Sequence, residues 1–125
     1  MAAKKKILLV DDDLYIRDLY EEILKSAGYI VECAIDGEEG LQKAQVGGYN
    51  LILLDIMMPK RDGLGVLRGL VQSPPKRKNG PVVLLTNMAH DDVIEEGLKL
   101  GASSYIIKTD VDGDKLVEEV EKHIN

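Results

Sequence analysis

The sequence predicts an α/β fold: a doubly wound, five-stranded parallel sheet of strand order 2-1-3-4-5 with five helices. Two observations lead there. Short apolar runs rich in Ile, Leu and Val alternate with stretches of helical periodicity, five of each. The runs are continuous rather than alternating, which suits strands buried on both faces. Right-handed crossovers through such a series wind helices onto both sides of one sheet. Residues 1–125 read as a single domain with its core at about 5–124, a length that fits one domain.

The elements follow in chain order. The apolar runs Ile7–Val10, Tyr29–Ala34, Leu51–Leu54, Val82–Leu85 and Tyr105–Ile107 are each of strand length. The first helix sets Ile16, Leu19, Tyr20, Ile23 and Leu24 on one stripe, and Gly28 supplies its stop. The second opens at Asp36 with Glu39 three residues on, a capping-box pattern, and continues through Leu41 and Ala44. The third starts near Asp62, carries Leu64, Leu67, Leu70 and Val71, and breaks at Ser73-Pro74-Pro75. The fourth carries Val93, Ile94, Leu98 and Leu100 and ends at Gly101, with His90 as a candidate cap. The fifth begins near Asp112, with Leu116, Val117, Val120 and Ile124 facing inward. Between the third helix and fourth strand, Lys76, Arg77 and Lys78 read as a solvated run.

Composition narrows the function. Hydrophobic residues make up 45%, and with five Tyr but no Trp or Phe the packing falls to aliphatic side chains. Sixteen Lys and Arg against 22 Asp and Glu give a net charge of −6, the opposite of a nucleic-acid-binding footprint. The single Cys33 excludes an intrachain disulfide and fits a reducing compartment. No apolar stretch approaches the ~18 residues of a membrane span, and residues 1–6 lack a signal-peptide core. A cytoplasmic protein is expected.

The first strand runs into Asp11, Asp12 and Asp13, and the third into Asp55. In the expected strand order these ends are neighbours at the switch point, so Asp11, Asp12 and Asp55 gather around one crevice. Singly, each has an ordinary role: Asp12 or Asp13 as a helix N-cap, Asp55 as the start of a turn. Together, three carboxylates repel one another and resist ionising. A hard divalent cation relieves the conflict, and Mg²⁺ takes one or two carboxylates, waters and phosphate oxygens. The fourth strand ends at Thr86 and the fifth at Lys108, both at the same edge. A carboxylate nucleophile, Mg²⁺, a hydroxyl and a lysine are the groups that hold a phosphoryl group. Asp55 then attacks phosphorus to form an acyl phosphate, with charge on the equatorial oxygens neutralised by Mg²⁺ and Lys108.

These residues stand in ILLVDDD, LILLDIMMPKRDG, PVVLLT and GASSYIIK, in order along the chain. With those motifs the sequence resembles a response-regulator receiver domain of two-component signalling, of the stand-alone, chemotaxis-regulator-like kind, over about residues 5–124. The resemblance implies the flavodoxin-like strand order and a set of roles. Asp55 is the phosphoacceptor, Asp12 the direct metal ligand, and Asp11 the acid that reaches the metal through water. Met57 offers its backbone carbonyl to the metal. Thr86 is the switch hydroxyl, Tyr105 the rotameric switch aromatic and Lys108 the phosphoryl-binding lysine. Met57, Asn87 and Met88 form the pocket rim; two thioethers orient water poorly, which implies slow self-dephosphorylation.

Three positions depart from the family pattern. Asn87 stands where a small residue is usual. Gly65 sits early in the third helix, where Gly costs roughly 1 kcal/mol against Ala. Thr109 replaces the usual Pro, and a cis bond without Pro costs about 2.5–4 kcal/mol; a trans Lys108–Thr109 bond and a rearranged loop are expected.

As partners the resemblance implies a sensor histidine kinase or histidine phosphotransfer protein upstream and a protein target downstream, with no direct nucleic-acid contact. Upstream docking is expected around the first helix and the loop after Lys108, output through the fourth helix, fifth strand and fifth helix. Acidic residues there (Asp91, Asp92, Glu95, Glu96, Glu118, Glu119, Glu121) suit a basic partner surface. A monomer or a phosphorylation-dependent dimer is expected. Three rivals remain at this level. A flavin-binding flavodoxin needs a phosphate-cradling loop where this chain has Asp. A haloacid-dehalogenase-type phosphatase needs a second Asp where Met57 stands. A degenerate receiver acts only as a binding module.

Overall fold

The computed structural model describes residues 3–87 and 91–125. Five strands alternate with five helices: β1 (Lys6–Val10), α1 (Leu14–Ser26), β2 (Ile30–Ala34), α2 (Gly37–Val46), β3 (Leu51–Asp55), α3 (Gly63–Gln72), β4 (Val82–Thr86), α4 (Asp91–Lys99), β5 (Ser104–Ile107) and α5 (Gly113–His123). All pairings are parallel and the order is β2-β1-β3-β4-β5, as the alternation of runs and helices predicts. The expectations for Met88 at the pocket rim and His90 as a cap lie outside the described residues.

Helices α1, α2, α3 and α5 begin where Asp side chains cap them. Asp13 accepts from the Tyr15 and Ile16 amides, Asp62 from Gly65 and Asp112 from Lys115, each satisfying donors that the first turn leaves free. Asp36 accepts from Glu39, but Glu39 returns to the Ile35 N–H rather than to that of Asp36 itself. At the end of α1, Gly28 takes φ 100°, and the Gly28 and Tyr29 amides bond back to Lys25 and Leu24. That is a Schellman closure, which a residue without Cβ makes at little cost.

The sheet separates two apolar layers. Leu8, Val10, Ile52, Leu54, Val82 and Leu84 pack against residues of α2, α3 and α4; Ile7, Leu9, Leu51, Leu53, Val83 and Leu85 pack against Tyr20 and Leu24 of α1 and Leu116 and Val120 of α5. Burial on both faces explains why the central runs of β1, β3 and β4 carry no polar alternation, whereas the edge strands β2 and β5 are only partly covered. The helical stripes are narrower than the spacing predicts. Leu19, Val71 and Leu98 are exposed, while Val66 occupies an inward position of α3. Leu19 and Val117 line a cleft between α1 and α5 instead, and Ile124 packs from beyond the end of α5. The Lys76, Arg77 and Lys78 side chains are exposed, as expected of a solvated run.

Candidate functional site

Strand register brings the carboxylates together. Val10 lies opposite Leu54, so Asp11 and Asp55 follow at the same level on adjacent strands. Side chains alternate along a strand, and Asp11 and Asp55 therefore leave on the α1/α5 side, with Ile7, Leu9, Leu51 and Leu53. Asp55 lies opposite Leu85, which sets Thr86 one step further out; Thr86 lies opposite Ile107, which sets Lys108 one step further again. Four strand ends thus deliver Asp11, Asp55, Thr86 and Lys108 to one edge. Among the described residues the polar or charged residues classed as buried are Asp11, Asp36, Asp55 and Thr86; three of the four belong to this edge, and the Lys108 side chain is buried with them.

The distances show a crowded site. Lys108 Nζ lies 2.5 Å from Asp11 Oδ2 and 3.4 Å from Asp55 Oδ2. One carboxylate oxygen each from Asp11, Asp12 and Asp55 fall within 4.8 Å of one another. Asp11 is fully buried and Asp55 nearly so, whereas Asp12 is exposed at the mouth. Backbone donors help: the Asp13 N–H reaches Asp11 Oδ1 at 3.0 Å and the Met57 N–H reaches Asp55 Oδ1 at 3.3 Å. Even so, burial first and the Asp11 carboxylate second push the Asp55 carboxyl from 3.8 up to about 7, against the opposing pull of Lys108 and the Met57 N–H. Below Asp11, burial and the same carboxylate raise the Tyr20 hydroxyl to about 12.

Two buried carboxylates, Asp11 and Asp55, share one ammonium, with the third acid, Asp12, beside them at the mouth. In this arrangement Lys108 is drawn closest to Asp11 and occupies the role that a cation would take between the acids. A divalent ion there would balance Asp11 and Asp55 and leave Lys108 free for another anion. The donor set is all oxygen, with an exposed Asp12 that leaves room for water, and so suits Mg²⁺.

The remaining predicted residues flank this centre. Met57 and Asn87 are exposed at the rim. Tyr105 is also exposed, on β5, and borders a cleft of about 610 Å³ between β5 and α5 with Val111, Lys115, Glu118, Glu119 and Lys122. Among the described residues there is no cis peptide bond, so Lys108–Thr109 is trans as expected; the chain turns through a short 3₁₀ helix, Lys108–Asp110, before α5. Sequence reasoning missed Arg17, whose Nη1 donates to the Asp11 carbonyl at 2.8 Å and fixes the end of β1 to α1. A lone basic residue one turn beyond the Asp run was the available signal.

The chain belongs to the response regulator receiver domain family, whose description matches residues 7–121. Receiver domains are signalling modules of two-component systems whose general fate is phosphorylation by a kinase. Among individual proteins, the chain is 45% identical over 107 residues to a "Probable transcriptional regulator ycf27" of Cyanophora paradoxa, covering 84% of this chain and 42% of that protein's length. It is 33% identical over 121 residues to the "Chemotaxis protein CheY" of Treponema pallidum (strain Nichols), covering 94% and 81% respectively. Its backbone matches the solved chemotaxis protein CheY4 of Vibrio cholerae with a TM-score of 0.85 at 32% identity, covering 98% of this chain and all of that one. The chain therefore spans less than half of the first relative and most of the other two. Among the described residues no helix is long and apolar enough to cross a membrane.

Proposed function

We propose that this domain is a Mg²⁺-dependent phosphoacceptor: Asp55 takes a phosphoryl group from a phosphohistidine, and the change at the site reshapes the α4–β5–α5 surface for a protein partner. The observation that carries this reading is the pairing of Lys108 with both Asp11 and Asp55 at a level strand edge, with Asp12 at the mouth.

The chemistry follows from the residues. An Asp55 carboxylate oxygen attacks phosphorus, the N–P bond breaks, and the departing imidazole keeps the electron pair and takes up a proton. Asp11, Asp12 and Asp55, with the Met57 carbonyl, would hold Mg²⁺, which supplies charge neutralisation for the incoming phosphoryl oxygens. Asp55 must be ionised to attack, and metal charge at this site favours that form. Lys108, released from Asp11, pairs with a phosphoryl oxygen. Thr86, buried beside Asp55, donates to another. Its movement makes room for Tyr105 to turn inward, a two-state population shift. Helices α4 and α5 carry Asp92, Glu95, Glu96, Glu118, Glu119 and Glu121, which suit a downstream partner with a basic surface. The domain acts as a single unit, signals by contact rather than by turnover of a substrate, and works as a monomer or as a dimer formed on phosphorylation.

Mass spectrometry after incubation with acetyl phosphate and Mg²⁺ tests the reading. A gain of one phosphoryl group, lost in Asp55→Asn and on removal of Mg²⁺, is expected. A gain that persists in Asp55→Asn, or none in the parent, overturns it.

A further inference from the structure

Gly65 lies in the first turn of α3, where Ala is the better helix former. The structure supplies its reason. A Cβ at Gly65 would lie 2.8 Å from Cγ of Arg61. The bare helix surface lets the Arg61 side chain cross that turn. Its Nη1 donates to the Gly65 carbonyl at 3.3 Å, and its Nε reaches Glu38 Oε1 of α2 at 2.9 Å. The backbone at the same point is as close: a Cβ at Gly37 would fall 1.8 Å from the Arg61 carbonyl oxygen. The next residue back, Lys60, sits at φ 66° and pairs with Asp36 Oδ2 at 3.4 Å. A positive φ is disfavoured for a side chain with Cβ, so the surroundings hold it there. Two successive loop cations thus reach two carboxylates at the start of α2.

The segment held in this way is the one that leaves Asp55. Met57 stands near its beginning, with its N–H on Asp55 Oδ1, and the Gly63 N–H closes its neck on the Ile56 carbonyl at 2.8 Å. We propose that Arg61, seated by Gly65 and Glu38, is a positioning residue that braces this loop against α2 and keeps the Met57 carbonyl in place for the cation. The proposal rests on the Mg²⁺ reading above. A ligand on an unbraced loop loses conformational freedom when the ion binds, and that loss subtracts from affinity. The Arg61–Glu38 pair is partly exposed, so its contribution to folding stability is small. Its effect is expected in metal affinity, a loss of about three- to tenfold, below the roughly 10–100-fold typical of groups that orient a ligand directly.

The experiment uses the whole chain. Mg²⁺ affinity is measured by calorimetry on unphosphorylated parent, Arg61→Met, Gly65→Ala and the double variant, and hydrogen exchange of the Met57–Asp62 amides is followed in EDTA. Each single variant should bind Mg²⁺ about three- to tenfold more weakly and exchange faster across the loop. Gly65→Ala keeps every charge and only obstructs the path of Arg61. The double variant should therefore bind no more weakly than Arg61→Met alone, and Arg61→Lys, which keeps the charge, should recover part of the loss. If the parent binds Mg²⁺ and both single variants bind it equally well, with loop exchange unchanged, the brace is wrong while the metal reading stands. Additive losses in the double variant also overturn it, because they deny the shared path. A parent that binds no Mg²⁺ removes the metal reading and the proposal with it.

Discussion

Asp55→Asn should make the metal-free protein more stable at neutral pH, and the size of the effect follows from the site. Burial and Asp11 lift the folded Asp55 carboxyl from 3.8 to about 7. A rise of that size bounds the cost of ionising Asp55 in the fold at about 4 kcal/mol. The sign is that of a raised carboxyl. Between the unfolded value and about 7 the folded state binds more protons than the unfolded one, so stability falls as pH rises through this window and levels off above it. Asp36, lowered chiefly by the Glu39 amide, and Glu32, lowered chiefly by the Tyr49 hydroxyl, act in the opposite sense and only at the acid end. Thermal melts in EDTA should therefore show the parent losing stability from about pH 4.5 to 7.5. With about 4 °C per kcal/mol for a domain of this size, the asparagine variant should melt on the order of 10 °C higher at the upper end. It should also show a much flatter profile. Mg²⁺ should restore the parent and affect the variant far less. A parent profile that is flat or rises across this window, or a variant that keeps the slope, would refute the assignment of strain to Asp55.

Further outcomes test the neighbouring groups. Lys108→Ala strips the buried acids of their ammonium and should destabilise the metal-free protein by about 3 kcal/mol at pH 7.5 in chemical denaturation, less at pH 5 where Asp55 carries its proton. Thr86→Ala should accept phosphoryl from acetyl phosphate yet leave the amide resonances near Tyr105 in their unphosphorylated positions; a full shift would show that the hydroxyl does not couple the two. Met57 is 68% exposed at the rim and only a weak acceptor. Met57→Asn should speed decay of the phosphorylated protein by about tenfold, well below the roughly 10²–10⁴ of a true general base. Met88→Glu, made singly and together with it, should act in the same direction, and decay no faster than the parent's would remove the methionines as a shield.

What the amino-acid order determined alone was whatever depends on near neighbours or on a repeat. Continuous runs such as Leu51–Leu54 mark strands covered on both faces, and Asp36, Asp62 and Asp112 mark helix starts, because a cap needs only its own first turn. The parallel order followed from the alternation of elements, and with it the meeting of Asp11, Asp12 and Asp55, since strands at a switch point leave little choice of neighbour. Which side of a helix meets the sheet was decided by tertiary packing. A stripe read at ideal period is wider than the contact a crossing neighbour offers, and Leu19, Val71 and Leu98 fall outside it. Packing also decided which acid Lys108 approaches most closely: arriving from beyond β5, it stands nearer to Asp11, just past the end of β1, than to Asp55. Gly65 is the clearest case. Within its own helix it reads as a cost, and it gains a reason only when α2 brings Glu38 across the path of Arg61. No local pattern carries a contact between residues 23 positions apart; it exists because the fold brings the loop that enters α3 against the first turn of α2.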